Sequence, residues 1–320
     1  VQLSPNCTRV LFDLGLEEMI RSVAFFPDAG EMRDWKTGKV IVRAALGQGV
    51  VTDYGFPYLH VHRADLISIL EAAALDHSAI DLHTGAHVTS VAQTDIGVTA
   101  ETTLNAQFSG DVLVGSDGIH SIVREALFGA AQPVFTGNIA WRALVPVDQL
   151  PKGLIRPMAT AWWGPGAHFV HYYVRGGELV NCVGVREKPG WEIESWNEPG
   201  EYRELKADFS GWHSDIQTLI DSADRSSLFK WALFDRAPLQ RWGQGRTTLL
   251  GDACHPTLPF MAQGAAMAVE DGAVLARCLR GDGSVAMRLQ RYEDLRRART
   301  ARVQKGSRRN ANIYHMRGLK

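Results

Sequence analysis

Between Arg246 and Leu279 the chain reads RTTLLGDACHPTLPFMAQGAAMAVEDGAVLARCL. Thr247 to Leu250 is a short apolar run with β-branched entry, closed by Gly251, and predicts a buried parallel strand. Asp252 falls just past the carboxyl end of that strand, where open α/β sheets place ligands. Pro256 and Pro259 hold the next segment extended. From Gln263 the period changes, and Ala265, Ala268, Val269, Leu275, Ala276 and Leu279 mark the apolar stripe of a helix. Gly264, Ala265 and Ala266 open that helix, small enough for its first N–H groups to approach a ligand with the positive end of the dipole. A carboxylate placed for hydroxyls, beside a helix start placed for negative charge, describes a site for a polyhydroxylated, electron-accepting cofactor. A strand–Gly–Asp turn and an alanine-rich helix also serve simple packing, and the residues alone leave both readings open.

The run GDACHPTLP followed by QGAAMAVED resembles the second flavin-binding signature of the FAD-dependent aromatic hydroxylases built like para-hydroxybenzoate hydroxylase. Within them it is most similar to the salicylate hydroxylase and 3-hydroxybenzoate 6-hydroxylase branch. The resemblance implies that Asp252 binds the ribityl hydroxyls and that the amides at Gly264, Ala265 and Ala266 face the pyrimidine edge of the isoalloxazine. Pro259 counts with them among the implied cofactor-binding residues.

A second motif lies upstream. Asp111 to Gly115 is a short buried strand, and Ser116 to Arg124 then reads SDGIHSIVR. This matches the family's DGxxSxVR signature, which implies a part for Asp117 in supporting FAD and the docking nicotinamide cofactor. Chemically, a turn aspartate can orient the Arg124 guanidinium while Gly118 permits close backbone approach. In the same family an arginine in the setting HRADL, here Arg63 at a helix start, contacts the FAD pyrophosphate region. An arginine there runs against the dipole preference unless an anion shares the site. By the same resemblance the backbone near Val88 borders the adenine.

Length and composition bound the rest. A chain of 320 residues with 45% hydrophobic content can bury a sizeable core and divides most naturally into two domains. The formal net charge of -1 gives no general electrostatic case for nucleic acid or membrane partners. Cys7, Cys182, Cys254 and Cys278 show no CxxC or Cys/His ligand spacing, which points to a reducing cytoplasm and no structural metal. No apolar run reaches membrane-spanning length. No GxGxxG follows a strand; since VQLSPN-type sequence comes just after that fingerprint in the family, we expect a first βαβ unit to be missing, and a tail beyond Lys320 as well.

Taken in order, Ser4-Pro5 opens a helix that Gly15 stops, and a second short helix runs through Arg21. Lys39 to Arg43 reads as a strand, His62 to about Ala74 as a helix, and Ala86 to Thr102 as a hairpin turning at residues 94–97. After Gly129 the composition shifts to tryptophan, tyrosine and β-branched residues, and Ile139–Val147, His168–Val174 and Leu179–Val185 predict an antiparallel-rich sheet. Period two sets His168, Val170 and Tyr172 on one face and Phe169, His171 and Tyr173 on the other. His168 and Tyr172 are then ~13 Å apart along the strand. A histidine titrates near neutrality and can take a phenolic proton; related hydroxylases line the ring pocket with a histidine and a tyrosine at this HxxxY spacing. A satisfied sheet histidine is the plainer alternative. Phe260 and Met261 are expected pocket lining, and His255 a structural turn histidine bonding backbone. Trp191, Trp196 and Trp212 read as core, and the arginine-rich stretch Tyr292 to Lys320 as packing beside the cofactor domain rather than as a nucleic-acid surface.

The expected architecture is α/β: an FAD-binding domain from 1–22, 59–129 and 242–320, with an inserted mixed-sheet substrate domain from 23–58 and 130–241. The resemblance implies a single-component monooxygenase in which NADH or NADPH reduces FAD. O2 then adds at the flavin C4a position, and the hydroperoxide hydroxylates a phenolic or related aromatic acid. Within the same family an epoxidase or an N-heterocycle hydroxylase would carry the same motifs. A cofactor-free binding module or inactive fragment is the alternative of another class. The expected partners are a small aromatic substrate and O2, with no resident metal, in a cytoplasmic monomer or homodimer.

Overall fold

A computed structural model of the protein describes residues 1–193, 195 and 198–317, which form two compact units. The first comprises Val1–Ile69, Phe135–Phe234 and the described residues from Arg309 onward; the second comprises Leu70–Val134 and Asp235–Arg308. Trp196 lies outside the described residues.

The first unit is built on a seven-stranded mixed sheet in the order Phe229–Asp235, Val134–Pro146, Leu179–Glu187, Ala167–Val174, Met158–Gly164, Ala29–Asp34, Val40–Ala45. Met158–Gly164 runs parallel to Ala29–Asp34 and antiparallel to Ala167–Val174. The period-two alternation decides what each face meets. Trp141, Ala143, Val145, Phe169, Val180 and Cys182 pack with Leu205, Ile216, Leu219 and Ile220 of helices Tyr202–Asp208 and Ser214–Asp221. Each large side chain buried there stabilises the fold by about 1.5–3 kcal/mol. Two indoles carried into this core are paired: the Trp141 N–H donates to Asp208 at 2.9 Å, and the Trp162 N–H donates to His171 Nε2 at 3.0 Å. Trp212 is buried in the same core and Trp191 packs against it.

In the second unit the stretch that opened the sequence reading folds as expected. Thr247–Leu249 is buried and runs parallel to Leu113–Gly115, with Gly243–Gln244 on its other side. Gly115 lets helix Ile122–Phe128 and the Leu249 side chain close on the strand, because a Cβ there would stand 2.6 Å from Val123 Cβ and 2.9 Å from Leu249 Cδ2. A hairpin extended to three strands, Val88–Gln93, Val98–Thr102 and Gln107–Gly110, forms a separate small sheet. Helix Gly264–Leu279 covers the 247–249 strand, and Leu275 and Cys278 join Leu249, Trp242 and Tyr292 in one core.

The buried stripe of that helix shares only Leu275 with the predicted one. Met267, Asp271, Leu275 and Cys278 face inward, whereas Ala276 is exposed and Ala265, Ala268 and Val269 are half-buried. An unpaired carboxylate is excluded from a core, and Asp271 is tolerated on this stripe because it is paired with His255 and Arg296. Among the described residues no helix is long and apolar enough to cross a membrane.

Candidate functional site

The two signature segments of the second unit meet at the carboxyl ends of neighbouring parallel strands. Leu249 is registered against Gly115, so the Asp117 and Asp252 turns leave the sheet side by side. Arg124 ties them together: its Nη1 donates to the Ala253 carbonyl at 3.0 Å and its Nη2 to the Ile119 carbonyl at 2.7 Å. The expected orientation of this guanidinium by Asp117 is not what holds it. Asp117 instead accepts from the Ser121 hydroxyl at 2.5 Å and from the Val123 N–H at 3.1 Å, bracing the first turn of helix Ile122–Phe128. A carboxylate so close to a helix start satisfies otherwise orphaned N–H groups, a nearer reward than the guanidinium of Arg124.

Asp252 is exposed on the short turn Gly251–Ala253. Gly251 adopts φ +63°, and a Cβ there would stand 3.2 Å from the Ala268 methyl, so the turn lies flat against the following helix. Pro259 is exposed on the turn Pro259–Met261, and Gly264, Ala265 and Ala266 form the first turn of helix Gly264–Leu279, where N–H groups lack intrahelical acceptors. An exposed carboxylate that accepts from hydroxyls, with donor amides at a helix start, is a donor set that fits the ribityl chain and the electron-rich edge of a flavin. Val88 opens the 88–93 strand in the same unit.

Behind this surface sits a buried ionic knot. Asp271, fully buried, accepts from the Gly251 N–H at 3.3 Å, lies 2.5 Å from His255 Nε2, and accepts from Arg296 Nε at 2.7 Å. Arg296 also donates to Glu270 at 2.6 Å, and Glu270 takes both donors of Arg299. Burial by itself lowers the Arg296 pKa, and Asp271 and Glu270 more than reverse it, so the guanidinium is held above its usual value. His255 is therefore bonded by a carboxylate rather than by backbone. Cys254, His255 and Asp271 place donor atoms within 4.8 Å of one another, a grouping the sequence spacing did not reveal. Burial raises the Cys254 thiol well above its ordinary value and Arg296 already faces Asp271, which makes this an ion pair network rather than a metal cage. Two further arginines of the tail are also engaged: Arg297 with Glu293 and the Gln240 carbonyl, Arg308 with Asp235.

In the first unit the registers assemble a different surface. His168 opposes Val185 and Ala140, Val170 opposes Val183 and Arg142, and Tyr172 opposes Asn181 and Leu144, all on the face away from the core helices. Tyr172 is buried, its ring 4.6 Å from His60, and its hydroxyl makes no hydrogen bond among the described residues. Burial pushes the pKa of Tyr172 up and that of His60 down to about 3, so both are neutral. His168 is buried as well, its Nδ1 2.8 Å from His315 Nε2. Burial first, and His315 second, hold its pKa well below the ordinary value. Arg142 is half-buried, with its guanidinium over Phe229 (4.9 Å) and Trp231 (5.9 Å) and no hydrogen-bond or ion-pair partner among the described residues. Burial and then Arg63 lower its pKa, the mark of a cation beside another cation. Arg63, exposed at the start of helix Arg63–Leu75, also lacks a partner among the described residues, because the nearby Asp65 pairs with Arg175 at 3.0 Å. Phe260 is buried and Met261 exposed, both in the second unit.

Arg142, His60 and His315 escaped the sequence reading. Arg142 was within reach, since strand parity sets it opposite Val170 once the register is known. His315 had no signal, lying just past the end of the arginine-rich helix Val285–Tyr314 and 147 residues from its partner.

Comparison with known proteins adds four findings. A family model described as an FAD binding domain matches residues 2–307. The 3-hydroxybenzoate 6-hydroxylase of Klebsiella oxytoca is 35% identical over 323 residues, covering 100% of this chain and 80% of that protein. The 6-hydroxynicotinate 3-monooxygenase of Bordetella bronchiseptica is 37% identical over 317 residues, covering 97% and 80%. Among solved structures, that of Klebsiella pneumoniae HpxO complexed with FAD and uric acid superposes with a TM-score of 0.88 at 26% identity, over 99% of this chain and 79% of that one.

Proposed function

The chain belongs to the FAD binding domain family, as an FAD-dependent aromatic hydroxylase, and from that premise we propose that it hydroxylates a small aromatic acid bearing a ring hydroxyl. It is a monooxygenase that uses FAD, NAD(P)H and O2 on an aromatic substrate. FAD, when bound, supplies the redox chemistry that activates O2. The observation that carries the acid reading is Arg142, a cation with no hydrogen-bond or ion-pair partner among the described residues, on the same sheet face as His168 and Tyr172. It stands two strands across from Val170, roughly 10 Å away by the usual strand spacing. A ring carrying a carboxylate at Arg142 would present its opposite edge toward His168 or Tyr172. The same arrangement serves a hydroxybenzoate or a hydroxylated pyridine acid, since both offer one carboxylate and one acidic hydroxyl.

In this reading Asp252 accepts from the ribityl hydroxyls, the Gly264, Ala265 and Ala266 amides face the flavin, and Pro259 borders it. Arg63 meets the pyrophosphate and Val88 the adenine. Asp117, whose oxygens are engaged by Ser121 and Val123, acts through the shape of its turn. His168 takes the phenolic proton, Tyr172 donates to the ring substituent, and the apolar side chains around them exclude water.

Two measurements test this. Asp252→Ala should weaken FAD binding by about 1–3 kcal/mol, the cost of leaving bonded hydroxyls unmatched. Titrating flavin fluorescence against apoprotein reads it directly, and an unchanged Kd removes Asp252 from the cradle. Arg142→Gln should raise the Kd of aromatic acids roughly 10–100-fold while leaving the corresponding uncharged phenols unaffected, because one charge-assisted pair is lost. Equal weakening of both ligand classes would refute carboxylate recognition.

A further inference from the structure

Asn181 lies in the middle of the strand Leu179–Glu187, between apolar and β-branched neighbours. Asparagine is depleted in strands, so its presence there weakens the sheet. Val180 and Cys182, on either side of it, are buried against the core helices. Asn181 therefore belongs to the opposite face, the one that carries Arg142 and Tyr172. It is half-buried, and its carboxamide makes no hydrogen bond among the described residues. A second carboxamide on this face, Asn138 opposite Glu187, donates to the Thr136 carbonyl at 3.1 Å. Asn138 is thus tied to its own strand, whereas the Asn181 amide is turned to whatever occupies the face.

The registers place it among the polar groups of the site. Asn181 is opposite Tyr172 on one neighbouring strand and Leu144 on the other. Val183, next along the same face, is opposite Val170 and Arg142. Directly opposed side chains have Cβ atoms about 5 Å apart, and diagonal neighbours are roughly 7–8 Å apart. The carboxamide is accordingly beside Tyr172 and diagonal to Arg142, with half-buried Val183 next to both. A six-membered ring whose carboxylate meets Arg142 covers Val183 and brings its far edge to Asn181 and Tyr172.

A carboxamide offers an acceptor and a donor side by side, and a tyrosine hydroxyl adds a further donor. The ring edge that matches them carries an N–H next to a C=O, which is the lactam edge of a 2-pyridone. Its N–H donates to Asn181 Oδ1, and its carbonyl accepts from the Asn181 Nδ2–H and from the Tyr172 hydroxyl. A benzene ring in the same place presents a C–H to Asn181 Oδ1 and leaves that oxygen stripped of water without a donor. We propose that Asn181 makes this site selective for 2-pyridone carboxylic acids, with the carboxylate across the ring from the oxo group, over hydroxybenzoates of the same shape. The inference rests on Arg142 as the carboxylate partner. It concerns recognition of the neutral lactam, in which no bond is made or broken.

The test uses the oxidised, FAD-loaded protein without reductant, so that it reads binding rather than turnover. The probes are 6-hydroxynicotinate, whose stable form is the lactam, and 4-hydroxybenzoate, its carbocyclic counterpart with the same para arrangement. Calorimetric titration gives the Kd of each. Wild type should prefer 6-hydroxynicotinate by about 10-fold or more. Asn181→Leu, which keeps the volume, should raise the Kd of 6-hydroxynicotinate roughly 10–100-fold, the loss of two hydrogen bonds, and leave 4-hydroxybenzoate within about two-fold. The ring N–H resonance of isotope-labelled 6-hydroxynicotinate should move downfield on binding to wild type and fall back in the variant. A preference that survives Asn181→Leu, or a wild type that prefers 4-hydroxybenzoate, overturns the role of Asn181. Arg142→Gln separates that failure from failure of the acid reading. It should weaken both probes alike, and if it weakens neither, the acid reading itself has failed. Should Asn181→Leu not fold, the labelled probe on wild type decides: an unshifted ring N–H overturns the inference.

Discussion

His168→Ala is expected to slow hydroxylation by ~10²–10⁴-fold at neutral pH while FAD binding is spared, the usual contribution of a positioned general base. The pH dependence follows from the depressed pKa of His168. Burial and His315 keep the imidazole neutral at neutral pH and well below the ordinary histidine range. Protonation of His168 therefore does not shut the wild-type enzyme down as pH falls through about 6.5, the unperturbed histidine value. The variant depends on solution for its phenolate, so its rate should climb with pH toward the free phenol pKa of about 10. The two profiles should converge on the alkaline side. His171→Ala is the internal control, because His171 faces the core and accepts the Trp162 N–H there. It should cost stability through an orphaned indole donor and leave the shape of the rate profile alone. Single-turnover rates of product formation across pH distinguish the outcomes; a His168 defect that does not shrink with pH would mean that the ring only supports the sheet.

Asp271→Ala should destabilise the fold by about 3–5 kcal/mol, the loss typical when one partner is taken from a buried ion pair. Arg296 would be left as a buried cation, its remaining carboxylate Glu270 being shared with Arg299. Against the roughly 5–15 kcal/mol that holds a protein together, this is severe. The Gly251 N–H and His255 would lose their acceptor together, so the turn carrying Asp252 should shift and FAD should be released at lower urea than global unfolding requires. Asp271→Asn keeps the side-chain shape and should fall between the two. The urea midpoint read by tryptophan fluorescence, beside that read by flavin release, checks both parts. Removing Arg296 as well, in Asp271→Leu/Arg296→Met, should recover much of the loss, since the stranded charge is gone. A double variant no better than the single one would show that packing, not charge, makes Asp271 necessary.

The residues with steric or periodic constraints were legible before the fold was known. A β-branched run closed by glycine and aspartate, followed by small residues at a helix start, specifies strand, turn and helix through contacts only a few residues apart. Thr247–Leu249 and Gly264–Leu279 accordingly formed where expected. Strand alternation likewise divided His168 and Tyr172 from His171, because side-chain period is a property of the backbone alone. The two motifs also carried the family, and with it the cofactor and the class of reaction.

What needed the tertiary structure is every polar choice between distant segments. Asp117 had Arg124 within sequence reach and bonded Ser121 and Val123 instead, while Arg124 crossed to Ala253. Asp271 is buried only because Arg296 and His255, each from another element, make its burial tolerable. The acid-facing role we assign to Arg142 exists only because the sheet register sets it opposite Val170, and the His168–His315 contact only because a helix end returns to the sheet. Apolar patterning is written locally, since water sorts each side chain by its own character. A buried charge is stable only beside a particular partner, and the chain must fold before that partner is chosen.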